Sequence, residues 1–415
     1  MNIVNFGSCN IDYVYRVSHF VKPGETISAD ELSRFPGGKG LNQSIAIARN
    51  GIKVYHAGCI GKDGKFLKDI LSEAGADVLY LKIVDAPTGH AIIQVDDSGE
   101  NSIVLHSGSN HMITKEYVDE VLRHFSSGDI LVLQNEINNL EYIIQAASSK
   151  GMRIVFNPSP FHPSLTKLDL SKLSYLILNE VEAYEFSGQK ITEQICAYFR
   201  KNYENLKVVL TLGSNGCMYF DKNELLYCPA FSVIAKDTTS AGDTFTGYYI
   251  SGLIQGMKTE EILKYASAAA ALTVSKEGAA SSIPVKQEVI EALHFLKPST
   301  ANRKIENQKI VIKEYIEKNI ATANLSELAD KLQYSKSYMA AWIKKYMGVS
   351  FIALLHHERC VKAGQLLKQT DLSIEEIIQF TGYENGSFFR KIFYNTFGKT
   401  PLEYRKFYQE GEKGK

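Results

Sequence analysis

The chain has 415 residues, 45% hydrophobic and 22% charged, a globular composition on a length that exceeds one ordinary domain. Its apolar runs are too short to cross a bilayer, and the opening "MNIVNFGSCNID" lacks the basic stretch and apolar core of a signal peptide. The net charge of zero hides an asymmetry: from Thr300 onward 19 Lys+Arg stand against 13 Asp+Glu, leaving +6 there and −6 on the rest. This predicts two domains with different partners, the basic one suited to nucleic acid. Six scattered cysteines without a CxxC pair read as reduced cytosolic thiols, and ten histidines without HExxH give no zinc signature.

A strand at Ile3–Phe6 comes first. "GSCNID" sets Asn10 and Asp12 just beyond it, two apart and so on one side of an extended segment. Such a pair either forms a turn or grips adjacent hydroxyls. "FPGGKGLNQSIAIARNG" (Phe35–Gly51) then leads into a helix over Leu41–Asn50. It is not a Walker loop, because Gly40 follows Lys39 where Ser or Thr is required. Its glycines permit either a plain turn or close approach of a polyol, with Lys39 and Asn42 as donors. Further strands are expected at Val54–Cys59, Ile130–Leu133, Arg153–Asn157, Tyr175–Leu178 and Lys207–Leu212. Helices such as Asn139–Lys150 and Thr259–Ser275 lie between them. The alternation predicts an α/β domain with a mostly parallel sheet. One stretch departs from it: Gly89–Ser109 reads as two strands around an Asp-Asp-Ser-Gly turn, a lid over a site.

"DTTSAGDTFTG" (Asp237–Gly247) places a carboxylate, Asp243, where an apolar helical pattern begins. A helix start offers unpaired N–H groups and a positive dipole end, and the small residues Ala241 and Gly242 let an anion reach them. Asp243 either complements that dipole, for about 1 kcal/mol or less, or accepts a hydroxyl proton during phosphoryl transfer.

Past "KPSTANRK" (Lys297–Lys304) strand signals vanish and the chain reads as helices. The expected division is 1–296, a linker at 297–305, a helical domain at 306–410 and a tail at 411–415. Leu325–Gly348 and Ser373–Gly398 each read as two helices around a turn, with Ser335 a helix cap in the first and Gly382 in the turn of the second. His357–Thr370 connects them, with Val361, Leu366 and Leu367 facing inward. The plan suits a helical interaction module or a pair of DNA-reading units. The aromatics Trp342, Phe388, Phe389 and Phe393 are expected in the core.

Read together, "PGGKGLNQ" and "DTTSAGDTF" resemble the two signatures of the ribokinase (PfkB) family of carbohydrate kinases. "GSCNID", "LVLQNE" ending at Glu136, "LNEVE", "TLGSNG" and "SKEGAASSIP" fall in the order that family shows, over roughly residues 1–296. The resemblance implies a three-layer α/β sandwich with a small β lid. It implies Asp243 as the base and the amides of Ala241, Gly242 and Asp243 as the anion hole. Asn10, Asp12, Gly38, Lys39, Asn42 and Glu136 then hold the sugar. Asn179 and Glu182 set Mg²⁺ through water, while Asn179, Thr211, Gly213 and Gly216 meet ATP. Asp237, Thr239, Thr273, Lys276, Gly278 and Ser282 match positions around K⁺. The lid at 89–109 matches one that also clasps a homodimer. Ser240 departs from the pattern, standing where Gly or Ala is commoner. The combination is nearer ribokinase than the fructokinase or adenosine kinase branches, with deoxyribose or another sugar as alternative substrates.

The tail resembles the AraC/XylS DNA-binding domain over roughly Asn307–Lys406, through Arg359, Ala363, Leu366 and Leu367 and through "GYENGSFFRKIF" and "GKTPLEYRK". Ile343, Ile378 and Tyr394 depart mildly from it. The resemblance implies double-stranded DNA as partner, with one helix of each unit in a major groove. Base contacts would come from Lys336, Ser337, Tyr338 and Ala341, and from Asn385, Gly386, Ser387 and Arg390. Lys344, Lys345 and Lys391 would meet phosphate. The whole reads as a bacterial cytoplasmic fusion, nucleoid-associated when on DNA, of a sugar kinase and a transcriptional regulator. Its rivals are a catalytically silent sugar sensor and a kinase whose helical tail serves assembly.

Overall fold

The computed structural model describes residues 1–410, except for the side chains of residues 300–307, 310, 409 and 410. The expected tail at 411–415 lies outside the described residues. The chain separates into two compact units, one over Met1–Thr300 and one from Ala301 onward.

The first unit begins with β1 (Ile3–Phe6), β2 (Asn10–Arg16), β3 (Glu31–Gly37), β4 (Tyr55–Ile60) and β5 (Leu81–Ile83). β6 (Gly89–Val95), β7 (Asn101–His106), β8 (Ile130–Gln134) and β9 (Arg153–Asn157) follow. The last strands are β10 (Tyr175–Asn179), β11 (Lys207–Thr211), β12 (Cys217–Phe220) and β13 (Leu225–Cys228). Among the described residues, nine of these form a sheet in the order β13-β12-β11-β10-β9-β8-β1-β4-β5. It is parallel from β11 to β5, and β12 and β13 add an antiparallel edge. β8, "ILVLQ", is buried along its whole length, as a parallel strand covered on both faces must be. The six strands expected in this sheet agree with it to within one residue at each end.

The helices between them are α1 (Lys39–Arg49), α2 (Lys65–Glu73), α3 (Lys115–Leu122), α4 (Leu140–Ser149), α5 (Glu180–Ser187) and α6 (Thr192–Asn202). α7 (Ala241–Ile254), α8 (Thr259–Val274) and α9 (Lys286–Phe295) complete the unit. Buried residues gather in one core containing Leu41, Ile45, Tyr248 and Tyr249 and a second containing Val118, Ile143 and Phe199. α1 and α7 pack unusually closely: a Cβ on Gly247 would lie 2.4 Å from the Cβ of Ala46. That approach brings the first turn of α1 against the first turn of α7.

The lid is larger than the expected hairpin. β2 and β3 join β6 and β7 in a four-stranded sheet, order β3-β2-β6-β7. Asn10 and Asp12 therefore sit within a lid strand, not in a turn after β1. β3, "ELSRFPG", is a polar, largely exposed edge strand, where Pro36 is tolerated and no apolar period marks it.

The stretch expected as a linker starts as a strap on the first unit. Ser232 N donates to Lys297 O at 2.9 Å and Ser299 N to Ala230 O at 2.8 Å. α10 (Thr300–Lys318) follows at once. The second unit continues with α11 (Leu325–Lys331), α12 (Lys336–Met347), α13 (Phe351–Gln369), α14 (Ile374–Phe380), α15 (Gly386–Phe397) and α16 (Pro401–Glu410). It has two small cores, one around Trp342 and Ile343, the other around Phe389 and Phe393. The connecting helix α13 ties them together: Arg359 donates to Ile320 O at 2.9 Å and Ala321 O at 2.8 Å.

Candidate functional site

Asp243 lies in the first turn of α7 and is 5% exposed. Three side chains from the first turns of α1 converge on it. Asn42 donates to Oδ2 at 3.1 Å, Gln43 donates to Oδ1 at 3.0 Å, and Lys39 Nζ stands 4.0 Å from Oδ1. A carboxylate so placed is fixed in one rotamer with cationic compensation nearby. The helix start leaves the amides of Gly242 and Asp243 without intrahelical acceptors, whereas Ala241 N already reaches Thr238 O at 3.4 Å. A Cβ on Gly242 would meet nothing within 4 Å, so the space beside those amides is open. Ser240 caps this turn at φ 61°, the left-handed region, which explains why a residue without a bulky Cβ is wanted there. Its hydroxyl accepts from Asn42 Nδ2 at 3.0 Å.

The expected sugar-side residues gather next to this carboxylate. Glu136 follows β8 and accepts from Lys39 N at 2.8 Å and from the Ser8 hydroxyl. Burial pushes its pKa up, opposed by Lys39 and these hydrogen bonds. Burial, reinforced by Glu136, also raises the pKa of Asp12 to about 7. Asn10 is held from the lid's root, where Asn110 donates to its Oδ1 at 2.7 Å. Gly38 takes φ 96° at the cap of α1, a conformation that favours glycine. Asn42 is 4% exposed, and its Oδ1 is buried with no hydrogen-bond partner. A buried acceptor left unpaired costs about 1–3 kcal/mol, so it fits a ligand hydroxyl. Asn10 and Glu136 also line a cavity of about 390 Å³ that continues past His106, His111 and Phe161. Sequence reasoning missed Ser8, Asn110 and Gln43; Ser8 lies inside "GSCNID" and Gln43 ends "PGGKGLNQ", while Asn110 stands just past the lid hairpin with no motif to mark it.

On the other side of Asp243 the pieces are more local. Asn179 and Glu182 form a reciprocal capping box at α5, each side chain accepting from the other's backbone N–H at 2.9 Å. Glu182 is 4% exposed, yet its field reaches the site, contributing after Asp243 and Glu136 to the raised pKa of Lys39. Thr211 ends β11, and Gly213 and Gly216 turn the chain at φ 54° and 98°. Of the residues expected around a monovalent cation, Asp237 accepts from the amides of Thr239 and Gly278 at 2.8 and 3.1 Å. Thr273 is buried against Thr244, and Ser282 bonds to Ala279 O. Lys276 pairs with Glu288 at 2.8 Å; its ammonium has no lone pair for a cation, so any such contact would have to come from its backbone carbonyl. Among the described residues no cluster of three His, Cys, Asp or Glu side chains could hold a metal ion.

In the second unit Ser335 caps α12 by accepting from Tyr338 N. Lys336, Ser337, Tyr338 and Ala341 are all exposed on that helix. In α15, Ser387 and Arg390 are exposed and Gly386 is half-buried. Asn385 is exposed as well, and its Oδ1 caps the amides of Ser387 and Phe388. Arg390 is paired with Glu375 at 2.9 Å. Trp342, Phe389 and Phe393 are core residues, but Phe388 is 43% exposed and is no part of the core.

These features match known proteins. The model of the pfkB family of carbohydrate kinases fits residues 1–286, and that of a helix-turn-helix domain fits residues 328–406. The chain belongs to the PfkB family. It is a carbohydrate kinase of the ribokinase type, joined to a helix-turn-helix domain of the AraC/XylS type. It is 37% identical over 298 residues to the ribokinase of Haemophilus influenzae, covering 69% of this chain and 96% of that one. Ribokinase of Cryptococcus neoformans, solved with ADP, superposes with a TM-score of 0.63 at 35% identity, over 70% of this chain and 99% of that one. Arabidopsis thaliana ribokinase, solved with ribose and ATP, gives 0.63 at 30% identity, over 71% and 99%. Membership of this family implies use of ATP with Mg²⁺. Among the described residues no helix is long and apolar enough to cross a membrane.

Proposed function

We propose that the N-terminal unit, taken as residues 1–296 with its lid at 89–109, phosphorylates ribose to ribose 5-phosphate, and that the unit at 306–410 is a sequence-specific regulator of transcription. The observation that carries the first half is the pairing of Asp243, at an open helix start, with the buried, unpartnered Oδ1 of Asn42. A polyol supplies what that acceptor lacks, and Asn10, Asp12 and Glu136 offer acceptors for its other hydroxyls.

ATP with Mg²⁺ supplies the phosphoryl group. Asp243 accepts the proton of the attacking hydroxyl. The amides of Gly242 and Asp243 and the ammonium of Lys39 face the negative charge that develops. Asn179 and Glu182 suit a metal that keeps most of its water, since their side chains are already engaged and offer outer-sphere acceptors. Thr211, Gly213 and Gly216 border the nucleotide, and the Asp237–Gly278 loops enclose K⁺. The protein works in the bacterial cytoplasm as a homodimer clasped through its lids. Sugar and ATP shift DNA affinity by their differential affinity for lid-open and lid-closed states.

ATP turnover against a panel of pentoses and hexoses tests the enzyme half; preference for a hexose removes the ribose assignment. A gel-shift titration with and without ribose plus ATP tests the link, and unchanged operator affinity rules it out.

A further inference from the structure

Behind Asp243 runs a chain of amide side chains buried in the interior. Asn5 and Gln43 are fully buried and Gln134 is 1% exposed. Asn5 Nδ2 donates to Gly40 O and to Ser44 Oγ, both at 2.8 Å. Gln134 Nε2 donates to Asn5 Oδ1 at 3.0 Å and to Gln43 Oε1 at 2.7 Å. Gln43 Nε2 then donates to Asp243 Oδ1 at 3.0 Å and to Asn157 Oδ1 at 3.2 Å. Asn157 in turn donates to Ile177 O at 2.8 Å.

The direction of this chain is forced. Both ends rest on backbone carbonyls, Gly40 O and Ile177 O, which can only accept. Asn5 must therefore present its oxygen to Gln134, and Gln134 must spend its N–H groups on Asn5 and Gln43. With Oε1 so occupied, Gln43 has only donors left for Asp243. Flipping any one amide would set oxygen against oxygen in a dry interior, where an unmade bond costs about 1–3 kcal/mol. Asp243 is thus clamped through Oδ1, and Oδ2, touched only by Asn42, is the oxygen left for a hydroxyl.

We propose that Gln43 is a positioning residue for phosphoryl transfer, an N–H donor of fixed polarity that sets the plane of the Asp243 carboxylate. The inference rests on reading Asp243 as the base. The charged groups acting with that carboxylate are Lys39 from α1 and Glu136 after β8, while Glu182 from α5 acts on Lys39. β9 contributes only the neutral Asn157 to this contact.

The test uses the full chain and three variants. Gln43→Met keeps length and removes the donor. Its kcat should fall by about 10–100-fold, as misplacement of a reacting group does, while KM for ribose changes less than about threefold because no sugar contact is lost. Gln43→Glu sets two carboxylates at hydrogen-bond distance, and such pairs share one proton. The acid limb of its kcat/KM profile should move up by about one pH unit or more. Gln134→Met frees Oε1 of Gln43 while sparing its contact with Asp243, and should lower kcat by less than Gln43→Met does. A cooperatively melting Gln43→Met with kcat within about twofold of the parent, or a cooperatively melting Gln43→Glu with an unmoved acid limb, overturns the proposal, as does a Gln134→Met loss as large as that of Gln43→Met. Asp243→Asn separates the two readings. If it retains turnover, the base assignment fails and this inference with it. If it is inactive while the Gln43 variants behave as the parent, the inference alone fails.

Discussion

In the kinase unit the polar groups proposed to do the work are withdrawn from water and held from several sides: Asp243 is 5% exposed, Glu182 4% and Asn42 4%. In the helix-turn-helix unit the groups facing outward stand in solvent, with Tyr338 49% exposed and Arg390 about half-exposed and tied only to Glu375. The first arrangement meets desolvation during folding, so charge that develops in a reaction finds its partners already oriented. The second meets desolvation only on binding, which suits a surface that must leave DNA again, and its Lys and Arg side chains would release counterions from the phosphates they neutralise, so its affinity should fall as salt rises. The same side-chain chemistry thus serves rate in one unit and reversible recognition in the other.

Substitutions sharpen that contrast. The largest effect is expected from Asp243→Asn, which should lower kcat by about 10²–10⁴-fold yet leave ribose binding measurable by calorimetry; full turnover would break the idea of a pre-oriented base. Arg390→Ala should weaken operator binding by about 1–3 kcal/mol in gel shifts without changing kinase rate. Glu375→Gln, which removes the competing carboxylate, should leave affinity equal or higher. A drop on Glu375→Gln would mean that the ion pair presents Arg390 rather than restrains it. Next comes pH. Asp12 has its pKa raised to about 7, so it is ionised above that value and protonated below it. The ionised form accepts sugar hydroxyls better, so kcat/KM for ribose should fall below pH 7, by at most about tenfold per pH unit. Asp12→Asn should abolish that dependence. The smallest effect belongs to Lys345→Ala, which should weaken all DNA sequences alike and lower the salt slope by about one.

Much of the central sheet is legible in the sequence because continuous apolar runs such as "ILVLQ" at β8 have few alternatives. β2 and β3 are not, since half-exposed strands with Asp12, Arg34 and Pro36 lack a clean period of two. The order of glycine-rich motifs reveals Asp243, Lys39 and Asn42, because each carries charge or donors in an unusual local setting. Gln43 and Gln134 escape notice, since a glutamine in a helix or strand is ordinary until its neighbours in space are known. Asn385 carries a role its sequence setting did not announce: besides being exposed, it caps α15 through its Oδ1.

The strap at Lys297–Ser299 limits where this polypeptide can be divided. Its partner Ala230 lies behind Gly216, where an added Cβ would stand 2.7 Å from Ala230 N and 2.1 Å from Cys228 O. A fragment ending at Leu296 strips two hydrogen bonds from the segment that backs the Gly213–Gly216 turn, whereas one ending at Ser299 keeps them. The natural seam between enzyme and reader therefore falls after Ser299, and a graft of any other module onto this kinase should begin there.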